Sequence, residues 1–452
     1  MINMMLSRAA ASIHGVLDGE DMHFNGCSTD SRNVRAGELF IALRGTRFDG
    51  HEFVDEAKVN GAAAAMVEKV YSDRGKLPLL LVDDPRKAMG MLAGYWRSCF
   101  RIPLIAVTGS NGKTTVKEMI ASILSRKAPV LSTRGNLNND IGVPLTLFSL
   151  DDHYRYAVIE MGANHPGEIA GLTRIARPSV AVITQCAPAH LEGFGSTDGV
   201  ARAKAEIFEG LERNGTAIVN ADDDHSRLWK EKAGAYRQIC FSLHMKTDVY
   251  AADITFDAKV NSARFSLHID DRETDIQLPL PGEHNVQNAL AAAACCSALD
   301  FDIETIREGL ENTKSIKGRL QLRNGINGAR ICDDTYNANP ASLLAALKTV
   351  AGYPGRNWLI LGDMGELGDT ADTLHYSAGE NARALGFEKL FTLGQLSRHA
   401  AEGFGSGAEH YSNAEDLIDA VKPGLAEDVN VLVKGSRAMA MERIVDAIRR
   451  AS

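Results

Sequence analysis

Zinc and redox chemistry are thinly provided for in this 452-residue chain. Its seven cysteines, at 27, 99, 186, 240, 295, 296 and 332, form no Cys-x-x-Cys pair and no Cys/His spacing suited to zinc. Reduced core thiols are expected; Cys295 and Cys296 adjoin in an Ala-rich helix, where consecutive side chains diverge. Clustered Lys and Arg are also missing. With a net charge of -9, a general nucleic-acid binder is excluded, and any anionic ligand must be met locally. The longest apolar stretch, Ala289 to Leu299, is too short to cross a bilayer, and the N-terminus lacks the basic-then-apolar order of a signal peptide. A cytoplasmic protein without a transmembrane segment, and a monomer, is the expectation. There is no internal repeat, no low-complexity tract and no Asn-Lys-x-Asp to read guanine, which sets aside a GTPase switch.

What is present is the composition of an ordinary globular protein, 45% hydrophobic and 24% charged. At ~100–200 residues per domain, the length predicts three domains. Residues 1–84 read as a small α/β domain, with strand-like Leu39–Leu43 and a helix near Phe53–Asn60. Residues 85–314 alternate strands and helices, as a parallel sheet covered on both faces requires. Between Asp248 and Leu280 the period changes to two, which predicts an antiparallel appendage. Residues 315–452 begin a second alternation, with strands at Arg330–Asp333, Trp358–Gly362, Lys389–Leu393 and Asn430–Val433, and read as a Rossmann-like doubly wound unit. The fold class is therefore α/β in three domains.

The sharpest motif runs from Leu104 to Thr115. An apolar strand enters Thr108-Gly109-Ser110-Asn111-Gly112-Lys113-Thr114-Thr115 and then a helix. The glycines let bare N–H groups approach phosphate oxygens, Lys113 supplies a mobile cation, and Thr114 a hydroxyl for Mg²⁺. The first glycine of the common loop is replaced by Val107, with Gly109 supplying the turn. Glu160 ends the strand Tyr156–Met161, where a parallel sheet presents ligand groups, and a carboxylate there suits Mg²⁺. His190 follows strand Val180–Thr184 and can face the same crevice or serve structure alone. Lys204, read from the residues alone, is an ordinary surface lysine. Asn285 and Asn288 stand one helical turn apart and either present their amides together to a base or, for Asn285, cap the helix.

In order, the phosphate loop, Glu160, His190, Lys204, His284-Asn285-x-x-Asn288 and Gly318-Arg319 resemble the Mur ligases, the ATP-dependent amide-forming enzymes of peptidoglycan precursor synthesis, and their folylpolyglutamate synthetase relatives. The resemblance covers the whole chain. It implies a carbamylated Lys204, with Thr114 and Glu160 on one Mg²⁺ and His190 and Lys204 on a second. It implies further that Asn288, Arg319 and Asp334 hold adenine, phosphate and ribose. Ser28, Thr29, Asp30, Ser31 and Arg32, with Gly45, Asp49 and His51, resemble the family's UDP-sugar pocket, although any polar loop contains such residues. Asn136, Asn138 and Asn139, the run Asp334–Pro340, Gly362–Gly368, and Lys434 with Arg437 resemble the branch of the family that adds D-alanyl-D-alanine to UDP-muramoyl-tripeptide. Another amino-acid acceptor, or a nucleotide-binding regulator without catalysis, is the alternative. The latter would be expected to lose Lys113, Glu160 or Lys204, and all three are present. ATP contacts divided between two domains imply closure about linkers near 84 and 315.

Overall fold

The protein is described from a computed structural model over residues 1–73, 77–188 and 191–450. Three consecutive stretches of chain each build a sheet. In the first, strands lie in the order Val16–Asp18, Leu79–Val82, Ala64–Glu68, Leu39–Ile41 and Cys27–Ser28, parallel except for the first pair. The helix Pro85–Ser98 then leaves this unit. Asp84 caps it by accepting from the Arg86 and Lys87 amides, and Pro85 occupies a first-turn position that needs no donor.

The central sheet has nine strands, with the phosphate-loop strand Leu104–Thr108 between Tyr156–Glu160 and Val180–Ile183. Each of these strands is apolar at nearly every position because both its faces are covered. Leu104 and Ala106 join one core with Met89, Leu92, Ile159 and Ile183, while Ile105 and Val107 join another with Val116, Ile120, Val158 and Val182. The chain moves outward from Leu104–Thr108 in both directions, so the crevice at its carboxyl end is a topological switch point. The period-two segment departs from expectation. Val249–Asp257 pairs in parallel with Arg237–Ser242, and the antiparallel strands Ser262–Ile269 and Arg272–Leu278 extend the same sheet. It is therefore the edge of the central sheet and not an appendage, because the turn preceding Val249 delivers it into register beside Phe241.

The third sheet runs Gln321–Asn324, Arg330–Asp334, Val429–Lys434, Arg356–Gly362, Lys389–Leu393 and Ala408–Tyr411, parallel apart from its first pair. Its outermost strands were not apparent in the sequence, since edge strands are half-exposed and carry no apolar run. Cys295, Cys296 and Cys332 are buried thiols as expected, but Cys99 is exposed and Cys27, Cys186 and Cys240 are half-buried. No helix among the described residues is long and apolar enough to cross a membrane.

Arg97 fastens the helix Pro85–Ser98 to the central unit. Only 3% exposed, it donates to the carbonyls of Ala176 at 2.9 Å, Phe100 at 2.7 Å and Ile102 at 3.1 Å. Burial pulls its pKa down, with Glu212 opposing. Arg97→Met should leave these carbonyls short of donors and lower the unfolding free energy by about 2–4 kcal/mol. Urea denaturation measures this, and an unchanged midpoint would show that the carbonyls find other donors.

Candidate active site

The phosphate loop is held from behind. Gly109 has φ +153°, and a Cβ on it would lie 1.8 Å from Thr184 Oγ1; Gly112 has φ +81°, and its Cβ would meet Asn288 Oδ1 at 2.3 Å. Neither position admits a side chain. The Ser110 amide donates to the Gln185 carbonyl at 2.8 Å, its hydroxyl donates to the Ala187 carbonyl at 3.0 Å, and that hydroxyl accepts from the Ala187 amide at 3.0 Å. Thr184 Oγ1 donates to the Asn111 carbonyl at 2.5 Å. The loop after Val180–Ile183 is thus a template for the phosphate loop, and Thr184 is a site-building residue that the sequence marked only by ending an apolar strand in a hydroxyl. Lys113 opens the following helix, its ammonium 2.8 Å from the Gly109 carbonyl. Burial lowers its pKa, Glu160 raises it and Arg319 lowers it further.

Glu160 is 2% exposed, not a solvated strand end. Its carboxylate accepts from Thr114 Oγ1 at 3.0 Å and Asn138 Nδ2 at 2.8 Å, while its amide donates to Thr133 Oγ1. Hydroxyl and carboxylate oxygens side by side are the hard donors that magnesium takes. Lys204 overturns the surface-lysine reading. The last turn of helix Thr197–Ala205 faces the cavity, leaving the residue 5% exposed. Burial first, and the Lys113 charge second, lower its pKa to about 7. His190 lies outside the described residues.

The C-terminal unit closes on this surface. Asn339, which caps helix Pro340–Ala351, donates from Nδ2 to Asn111 Oδ1 at 2.7 Å, a direct contact with the phosphate loop. Arg319 stacks on Tyr336 at 4.3 Å from the ring centroid, with its Nε buried and without a hydrogen-bond partner. Asp334 is ion-paired with Lys434 and accepts from the Leu320 amide at 3.1 Å. Lys434, 1% exposed, also donates to the Asn337 carbonyl at 3.0 Å, so it supports Asp334 from beneath and is not among the cavity's lining groups. Arg437 does line the cavity and is paired with Glu442 at 2.6 Å. Asn285 donates to the Pro281 carbonyl at 2.7 Å and accepts from Asn288 at 3.3 Å, so it aims Asn288 and does not present its own amide beside it. Burial pushes the neighbouring His284 down to about 4, with Asp334 opposing.

Many of these groups surround one cavity of about 1330 Å³, but Gly109, Thr115, Asn288 and Asp334, expected around the nucleotide, are not among its lining residues. Ser110–Thr114, Asn136, Asn138, Asn139, Glu160, Lys204, Arg319, Tyr336 and Arg437 all line it. The expected UDP-sugar residues do not. Ser28 is folded onto Asp30, Arg32 is paired with Asp30 at 2.9 Å, and Ser31 donates to Glu56 at 2.6 Å. Gly45 turns back onto the Phe48 carbonyl, and Asp49 accepts from Arg44 and from His51 Nδ1, whose Nε2 accepts from the Glu68 amide. Thr29 is half-buried beside them. They form a separate polar surface on the N-terminal unit.

Three family models match the chain: "Mur ligase family, catalytic domain" at 23–97, "Mur ligase middle domain" at 107–296, and "Mur ligase, glutamate ligase domain" at 318–437. The UDP-N-acetylmuramoyl-tripeptide--D-alanyl-D-alanine ligase of Escherichia coli (strain K12) is 42% identical over 99% of both chains, and the Bacillus subtilis (strain 168) enzyme of the same name is 35% identical over 98% of both. A crystal structure of MurF from Acinetobacter baumannii superposes with a TM-score of 0.93 at 36% identity, covering 99% of this chain and 98% of that one. MurF from Thermotoga maritima in complex with ADP gives a TM-score of 0.83 at 28% identity, covering 94% and 96%.

The low pKa of Lys204 carries a stability signature. Its folded value, about 7, lies below the ordinary lysine value of 10.5. The unfolded chain therefore binds the extra proton between these limits, so burying Lys204 costs nothing above about pH 10.5 and costs most below about pH 7. In CO₂-free buffer without ligands, Lys204→Met should raise the melting temperature at pH 6.5, and the gain should shrink towards pH 10. A gain independent of pH would show that the amine is hydrated as it is in the unfolded chain.

Proposed function

The chain belongs to the Mur ligase family, and from that premise we propose that it joins D-alanyl-D-alanine to UDP-N-acetylmuramoyl-tripeptide while cleaving ATP to ADP and phosphate, a step in building peptidoglycan precursors. The observation that carries the reading is the contact of Asn339 with Asn111, which brings the C-terminal unit onto the phosphate loop over a cavity large enough for nucleotide and peptide together. The 42% identity to an enzyme of that name along the full chain supports the acceptor. The proposed setting is the cytoplasm, with the enzyme acting as a monomer.

A carboxylate resists amines because resonance stabilises it and oxide is a poor leaving group. Phosphorylation removes both obstacles. An oxygen of the tripeptide's terminal carboxylate attacks the γ-phosphorus as the bond to ADP breaks, giving an acyl phosphate. The dipeptide's free amine then adds to the acyl carbon, and the tetrahedral adduct loses a proton from nitrogen and expels phosphate, leaving the amide. Catalysis is positioning and charge neutralisation. The loop amides and Lys113 would cradle the β- and γ-phosphates, Asn288 would read adenine, Asp334 the ribose, and Arg319, with its unpartnered Nε, a phosphate. Thr114 and Glu160 would hold one magnesium ion and His190 with modified Lys204 a second, which when bound would supply charge neutralisation at the transferring group. A pKa of about 7 leaves much of Lys204 as the free amine near neutrality. Its lone pair can then add to CO₂ with loss of a proton, giving a carbamate that replaces repulsion of Lys113 by attraction. Asn136, Asn138 and Asn139 would orient the tripeptide, and the polar surface from Ser28 to His51 would take the UDP end. Domain closure would keep water from the acyl phosphate.

Purified protein should release phosphate from ATP at full rate only when UDP-muramoyl-tripeptide and D-alanyl-D-alanine are both supplied, and Lys113→Ala should lower that rate at least ~100-fold with the fold retained. Release that ignores the dipeptide, or accepts another amino acid equally, would refute the acceptor. Arg437→Ala should raise KM for D-alanyl-D-alanine about tenfold, with KM for ATP within about twofold, because Arg437 lines the cavity from the C-terminal side. A rise confined to ATP would assign it to the nucleotide instead.

A further inference from the structure

Behind the phosphate loop, one histidine ties a helix to a turn that holds the 184–187 loop. His225 follows the strand Thr216–Asn220 and opens helix Ser226–Ala233. Its Nε2 is 2.9 Å from Asp198 Oδ1, in the first turn of the helix that carries Lys204, and its Nδ1 is 3.3 Å from Asp223 Oδ1. The other oxygen of Asp223 accepts from the Cys186 amide at 2.6 Å. Cys186 lies between Gln185 and Ala187, the two residues that grip Ser110. Asn220, at the root of the same turn, donates to the Thr184 carbonyl at 2.8 Å. Farther along, Trp229 Nε1 donates to the Ala201 carbonyl at 3.1 Å, a second tie to the Lys204 helix.

The turn after Thr216–Asn220 therefore grips both the template of the phosphate loop and the helix that presents Lys204. His225 reaches the Lys204 helix directly through Asp198 and the template loop through Asp223, which holds the Cys186 amide; Cys186 Sγ also lies 3.5 Å from the Thr197 carbonyl at the start of that helix. Burial alone would lower its pKa, but hydrogen bonds and charge from Asp198 and Asp223 raise it overall. Each ring nitrogen faces a carboxylate oxygen, the arrangement a bridge between two carboxylates requires. Asp198 and Lys204 are six residues apart, roughly 9 Å along the helix, so a shift or tilt of the first turn is passed to the buried amine.

We propose that His225 is a positioning residue of the ligase reaction, bridging Asp198 and Asp223 so that the Lys204 helix keeps its place against the 184–187 loop and the Lys204 amine keeps its place opposite Lys113. The proposal rests on the reading of Lys204 as a modified, magnesium-binding lysine.

His225→Ala and His225→Gln in the full chain test it by three measurements: the carbamate carbon signal in ¹³C-bicarbonate buffer by NMR, kcat against KM for ATP, and melting temperature. His225→Ala should stay folded, keep KM for ATP within about twofold, lose tenfold or more in kcat, and show a weakened carbamate signal. His225→Gln, which can keep one of the two bonds, should recover part of both losses. Unchanged kcat and carbamate signal in His225→Ala would overturn the proposal. So would a fall in kcat, ATP affinity and melting temperature together with an unchanged carbamate signal, since that is the mark of a packing role alone. If the unsubstituted enzyme shows no carbamate signal and Lys204→Ala is fully active, the Lys204 reading fails and this one with it, an outcome distinct from the other two.

Discussion

The site depends on a lack of space. Gly109 and Gly112 bring backbone against Thr184 Oγ1 and Asn288 Oδ1 so closely that no side chain could stand at either position. That approach lets the loop amides line up for phosphate oxygens, places Lys113 at the start of its helix, and sets Thr114 beside Glu160. Thr184 and Asn288 come from different elements, a sheet strand's end and the Ala-rich helix Glu283–Ser297. The loop's shape is accordingly a property of how the central unit packs, more than of the loop's own bonds.

Charge is the second constraint. Lys113, Lys204 and Arg319 converge on one cavity, where burial and mutual repulsion depress both lysines. An overall acidic protein thereby keeps a local cationic pocket, as an anionic nucleotide demands. The C-terminal unit meets the same problem differently. Lys434 is neutralised by Asp334 and donates to the Asn337 carbonyl, and both residues stay buried outside the cavity's lining. Among the described residues, the neighbours that shift Lys204 are Lys113 and Cys186, with no carboxylate in that role. That difference makes one lysine a support and the other a candidate for chemical modification.

Much of this was legible beforehand, for identifiable reasons. Parallel strands covered on both faces must be apolar throughout, so Leu104–Thr108, Tyr156–Glu160 and Val180–Ile183 stood out, as did the glycines and Lys113 between the first strand and its helix. The edges were harder to see. Gln321–Asn324 and Ala408–Tyr411 are half-exposed, and the segment from Val249 to Leu278 shows the alternation of a sheet without saying which sheet it joins. The burial of Lys204 and the contact of His225 with Asp198 were not visible, because each depends on residues distant in the chain, and the support given by Asn285 to Asn288, although local, turns on which amide the Pro281 carbonyl engages.

Local order along the chain, then, was enough to determine the α/β class, the phosphate loop and the strand-end carboxylate Glu160, since periodicity and turn chemistry act over a few residues. A side chain's charge state and accessibility depend instead on what folds over it. Tertiary structure alone decided that Lys204 is a buried amine, that Lys434 serves Asp334, and that Asn339 reaches Asn111 from more than two hundred residues away. Desolvation and through-space Coulomb forces have no memory of sequence separation.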